Sequence, residues 1–246
     1  MAYIASTPAQ THTGAQQARR HLLIATAVTC LLWFIPYSWI LLYPLRLYIT
    51  FIHEAGHALT ALAAGGRVVS LTIAPDGSGL TQTLQDPRSI WLVLSGGYLG
   101  TALFGALLLQ SGRLYGWRNH GKIALSASGI FFILATLMWS WRDPFSLTTG
   151  LLLGIALWAL GRCCPPHIAN LCTSFLAVQC CLNALGDLSI LLHLTASGSL
   201  HNDAAYMAKY YGLSPVFWSL LWGGMALAIL ALSLRSYWRA MATARQ

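Results

Sequence analysis

Apolar runs of about twenty residues recur along this chain, and they restrict its fold more than any other feature. They fall near 22–43, 47–64, 89–110, 123–140, 146–161, 168–195 and 214–234. A run of about 20 apolar residues is the length at which one α-helix crosses the hydrocarbon core of a bilayer. Lipid offers no hydrogen-bond partners, so a segment there must satisfy its own backbone groups, and helices do so. The expected fold class is therefore an all-α polytopic membrane protein with about seven transmembrane helices. Composition agrees: 57% of the 246 residues are hydrophobic, 8% are charged, and the mean hydropathy is +0.61. A soluble domain carries about a quarter charged residues, so a typical soluble enzyme, a disordered chain and a coiled coil are excluded. The first run is too long for the core of a signal peptide and reads as a span. Residues 21–236 read as one transmembrane domain. Residues 1–20 read as a polar flexible tail and 237–246 as a basic C-terminal tail.

Charge points to the same environment. Fourteen Lys and Arg stand against six Asp and Glu, a formal net charge of +8. The basic residues sit singly or in small groups beside the apolar runs. That is the pattern of membrane topology and lipid headgroups. No basic stripe with interleaved aromatics occurs, so the lipid bilayer is the expected partner and nucleic acid is not. The six cysteines form two adjacent pairs and no C-x-x-C, and they read as small hydrophobes rather than a disulfide framework or zinc knuckle.

The periodicity changes once. Residues 67–73 alternate, with Val69, Leu71 and Ile73 on one side, and residues 79–84 alternate again. Pro75-Asp76-Gly77 between them is turn chemistry. A small β-hairpin at about 67–84 is thus expected after the second helix. That helix, about Leu47 to Ala64, should follow a tight turn at Pro44-Leu45-Arg46 and end at Gly65-Gly66 as a C-cap. Pro36 is expected to kink the first span.

Glutamate occurs once in the chain, as Glu54 in His53-Glu54-Ala55-Gly56-His57, within the second apolar helix. Histidines four apart place two imidazoles one turn apart on one helix face, where both can hold one zinc ion. A glutamate between them can accept a proton from water at that metal. An ionisable residue in the bilayer is costly, which itself points to function. A third ligand is needed. Asp76 and Asp86 belong to the hairpin and its exit, and Asp143 precedes Pro144 in a turn. Asp187 lies inside a long apolar helix and shares a face with Asn183. Asp187 is the expected third ligand. Asp203, in His201-Asn202-Asp203-Ala204, is the second candidate, or else the N-cap of a helix that begins near Ala204.

His53-Glu54-Ala55-Gly56-His57 in a hydrophobic helix, a hairpin, the glycine-rich Ser95-Gly96-Gly97-Tyr98-Leu99-Gly100 and an intramembrane Asp187 together resemble the site-2 protease family of intramembrane zinc metalloproteases. The likeness is to its compact branch without a PDZ domain and spans roughly residues 45–225. The distal family motif is Asn-x-x-Pro followed by Leu-Asp-Gly; this chain has Asn183 and Asp187 but neither that proline nor Asp-Gly. The resemblance implies hydrolysis of membrane-embedded protein substrates. Zinc would be bound by His53, His57 and Asp187, Glu54 would act as general base, and Asn183 would position the substrate or its oxyanion. A transmembrane substrate must unwind before hydrolysis. The hairpin either pairs with its extended segment or caps the bundle. Two non-proteolytic readings stand beside this one. The first is a membrane zinc protein that binds partners. The second is an ion or proton transporter using His53, Glu54, His57 and Asp187, which internal repeats would favour and none supports.

Overall fold

The computed structural model describes residues 8–115, 119–197 and 202–243, excluding the side chains of 8–15, 18, 33, 39, 112–115, 183–197 and 240–243. Eight helices and one hairpin make up the described chain. They are α1 (Pro8–Phe34), α2 (Ser38–Ala63), β1 (Arg67–Ile73), β2 (Gly79–Leu84), α3 (Ile90–Tyr115), α4 (His120–Trp139), α5 (Pro144–Cys163), α6 (Pro166–Ser197), α7 (Asp203–Tyr211) and α8 (Pro215–Thr243). A single 3-10 turn, Pro87–Ser89, leads into α3. Among the described residues four segments are long and apolar enough to cross a membrane: Pro87–Ser111, His120–Trp139, Pro144–Cys163 and Pro215–Arg239.

Several boundaries differ from the sequence reading. The chain breaks at Ile35–Tyr37, where Tyr37 takes φ 61°, rather than at Pro44. Pro36 disfavours helical geometry at the residue before it, so the helix stops there. Pro44 lies inside α2. The hairpin turn clamps this part of α2: the Tyr43 hydroxyl donates to Pro75 O at 2.6 Å, and Thr50 Oγ1 donates to Gly77 O at 2.9 Å. Residues 8–20 and 237–243, expected as tails, are helical. Pro8 occupies the first-turn position that proline favours, and Tyr237 is buried against Leu22, Leu108 and Leu109.

The C-terminus of α2 is a Schellman cap. Gly66 N donates to Ala61 O at 2.8 Å, Gly65 N donates to Leu62 O at 3.0 Å, and Gly65 takes φ 78°. The reversal sends the chain straight into β1. The strands pair antiparallel from Arg67↔Leu84 to Ile73↔Gly79, with a register shift between Val68 and Ser70. The bulge takes Val69 off the face shared by Leu71 and Ile73, and Val69 is exposed. Leu71 and Ile73 are buried in a core that also holds Tyr48, Phe51 and Phe132, whose rings stack. Ser146, at the start of α5, accepts from Ile73 N at 2.7 Å and fixes the strand to the bundle.

α3 serves as a ruler for the whole molecule. At one end His57 meets Val93, Trp222 Nε1 donates to Ser95 Oγ, and the Tyr211 hydroxyl accepts from Trp91 N. At the other end Leu22, Leu108, Ala124 and Tyr237 pack together, and Arg19 lies over the Trp238 ring. Arg19 of α1 and Trp238 of α8 therefore lie at the same end of the bundle.

Candidate metal centre

Two glycine helices in contact create the site. Gly56 of α2 packs on Gly96 and Gly97 of α3 so closely that an added Cβ at Gly56 would overlap the Gly96 carbonyl. Small residues permit such backbone contact. The approach brings α3 against the face of α2 that carries His53 and His57. His57 Nδ1 lies 2.7 Å from Val93 O. A carbonyl only accepts, so Nδ1 carries a proton, and His57 turns its Nε2 into the site. The Tyr98 ring meets His53 edge-on, with centroids 4.8 Å apart, and stacks on Trp222 behind it.

The third donor comes from α7. Asn202 caps this helix, its side chain accepting from Ala205 N at 2.8 Å. Asp203 is therefore not the cap, and its carboxylate turns inward. Asp203 Oδ2 lies 3.2 Å from His53 Nε2 and 3.3 Å from His57 Nε2, and the two ring nitrogens are 3.1 Å apart. Burial alone would raise the Asp203 carboxyl. The charge of His57 and the hydrogen bonds with both imidazoles outweigh burial and hold the group well below the usual carboxylate range.

These atoms form a nearly equilateral triangle. A tetrahedral zinc ion with bonds of about 2.0–2.1 Å separates its ligand atoms by about 3.3–3.4 Å, so the triangle fits one face of that geometry. Gly97 supplies a second fit: a Cβ there would run into Nε2 of both histidines. The space in front of the donors exists because residue 97 has no side chain.

Glu54 completes the group. Its carboxylate lies within 4.8 Å of the His53 and His57 ligand atoms. Thr81 Oγ1 of β2 is 2.7 Å from Glu54 Oε2 and 3.0 Å from Glu54 O, so the hairpin holds the glutamate. Glu54 and His57 are buried, while the His53 and Asp203 side chains keep 17% and 21% of their surface exposed. The site thus opens on the His53–Asp203 side.

His53, Glu54 and His57 are together as their spacing requires. The side chains of Asn183 and Asp187 lie outside the described residues. In the sequence Asp203 is the second candidate for the third ligand, with an N-cap as its other reading. Thr81 was not singled out, because a threonine in a strand carries no chemical signature, and Gly97 entered only as one glycine of the 95–100 motif.

The model of the family described as Peptidase M50B-like matches residues 23–233, and the chain belongs to that site-2 protease-like family. No curated protein and no solved structure matches it.

Proposed function

We propose that the protein is a multi-pass intramembrane zinc metalloendopeptidase, with His53, His57 and Asp203 as metal ligands and Glu54 as general base. The observation that carries the reading is the triangle of His53 Nε2, His57 Nε2 and Asp203 Oδ2 with the Glu54 carboxylate beside it. Asp203 is preferred to Asp187 because its oxygen already meets both histidines. Zinc, when bound, lowers the pKa of a water toward about 7 and polarises a peptide carbonyl.

The chain's own groups do the rest. His57 is fixed by its bond to Val93 O and presents Nε2. Glu54, held by Thr81, accepts a proton from the attacking water and returns it to the departing amine. Its burial keeps competing solvent away and makes that transfer efficient. The outer edge of β2 suits an extended substrate segment, because pairing there would bring a peptide alongside Thr81 and Glu54. Asn183 is proposed to position the substrate or its oxyanion.

The expected substrate is a membrane-embedded protein segment. Partner binding without catalysis and ion or proton transport are the competing readings. A Glu54→Gln variant separates them: it should retain wild-type zinc content while cleavage of a transmembrane substrate falls at least about a hundredfold, the general-base contribution. Cleavage that survives the change would remove Glu54 from the mechanism and favour the other readings.

A further inference from the structure

An apolar groove of about 430 Å³ lies between α1, α5 and α6, away from the metal centre. Ile24 and Val28, Leu157 and Leu160, and Leu171 and Phe175 line it in pairs from the three helices. At one end the same helices carry cations. Arg20 and His21 precede Ile24 by one turn of α1. Arg162 follows Leu160 on α5, and His167 precedes Leu171 by one turn of α6. Arg20, Arg162 and His167 are exposed. His21 lies within electrostatic range of His167 and of Arg20, so these α1 and α6 groups are neighbours at this end of the groove. Lys122 Nζ donates to the Arg162 and Cys164 carbonyls at 3.1 Å and 3.0 Å. Lys122 thus caps the end of α5, and the Arg162 head is not needed for that purpose.

The carboxylates lie elsewhere. Glu54 and Asp203 are at the metal centre, Asp76 and Asp86 flank the strands, and Asp143 caps the opposite end of α5. The Asp187 side chain is outside the described residues. The mouth is therefore a cationic rim above an apolar slot.

The geometry points to a binding site for an anionic phospholipid, with one acyl chain in the groove and the phosphate among Arg20, His21, Arg162 and His167. An apolar tail and an anionic head joined at one depth complement both halves of the site. A zwitterionic lipid would bring its own cation to the rim and lose that gain. Each basic side chain near an anionic headgroup contributes about a fivefold gain in binding. The inference does not rest on proteolytic activity.

The test uses purified full-length protein in a neutral detergent. It is titrated with phosphatidylglycerol or phosphatidylcholine carrying the same palmitoyl and oleoyl chains, and bound lipid is counted by native mass spectrometry. Wild type should bind phosphatidylglycerol at least about fivefold more tightly. The preference should vanish in Arg20→Gln/Arg162→Gln, and Val28→Trp, which fills the groove, should weaken both lipids. Thermal melting checks folding. If the double variant is unfolded, the exposed Arg162→Gln change alone should lower the preference about fivefold. Equal binding of the two lipids by wild type would overturn the proposal. So would a preference that survives loss of the arginines, or lipid binding unaffected by Val28→Trp. Displacement of the lipid by millimolar inorganic phosphate would reduce the site to an anion site and also overturn it.

Discussion

Glu54 and its neighbours show how far single residues carry the account. An H-E-x-x-H pattern needs only helical periodicity to bring its two imidazoles together, so that part of the site was legible in the sequence. What the pattern cannot contain is the empty volume in front of the nitrogens. Gly97 provides it from another helix, through a contact between α2 and α3 that no local rule encodes. Gly97→Ala places a methyl group against both ring nitrogens. The expected outcome is loss of bound zinc with little change in helical content, measured by metal analysis beside circular dichroism. Retention of zinc at wild-type level would show that the donors do not converge on that space. The third ligand was less legible for a different reason. Asp203 stands beside a good capping residue, and sequence alone does not tell which of Asn202 and Asp203 caps the helix. Asn202 does, and its neighbour is released to the site.

At the scale of elements, two short pieces of structure complete the candidate site that the long helix α2 begins. The nine-residue α7 presents Asp203, and β2 presents Thr81 to Glu54. Removing the cap of α7 should therefore reach the metal without touching it. Asn202→Ala costs a helix about 1 kcal/mol, which would appear as zinc affinity weakened about fivefold. Asn202→Ser, another capping residue, should restore it. Titration with a competing chelator measures both. Equal affinity in the Ala variant would mean that α7 is held by packing of Met207 and Trp222 alone. The hairpin was readable from its period and turn residues, and so was the glycine cap of α2. The bulge was not: a pure alternation puts Val69 with Leu71 and Ile73, whereas one extra residue in β1 turns it outward. Pro44 was misread for a related reason. Proline breaks isolated helices, but α2 runs through Pro44, with the hairpin turn bonded to Tyr43 and Thr50 beside it.

For the molecule as a whole, the contact of Arg19 with Trp238 decides more than hydropathy does. In a membrane-spanning bundle, residues that touch at one end would share one side, which predicts an even number of crossings between them. Along α3 the path runs from Leu22 at one end to His57 at the other, back along α3, and out and back through α4 and α5. It then runs through α6 to Asp203 and returns through α8. On this path the chain runs the length of the bundle six times, because α1 and α2 together move it only once from end to end, while among the described residues four segments are long and apolar enough to cross a membrane. Arg19, Lys122, Arg162 and Arg235 lie toward this same end of the bundle, so an even number of crossings would put the first and last of them on one side. Tags at the two termini should accordingly be equally protected from protease in sealed, right-side-out vesicles. Protection of only one would restore an odd number of crossings.

The central claim is that His53, His57 and Asp203 bind one zinc ion. Metal content of the purified full-length protein tests it most directly, with wild type beside His53→Ala, Asp203→Ala and Asp187→Ala. The account predicts one zinc per wild-type and Asp187→Ala chain, and loss of the metal in the His53 and Asp203 variants. Zinc retained without Asp203 and lost without Asp187 would contradict the assignment of the third ligand. No zinc in wild type, even after reconstitution with the metal, would contradict the metal centre itself.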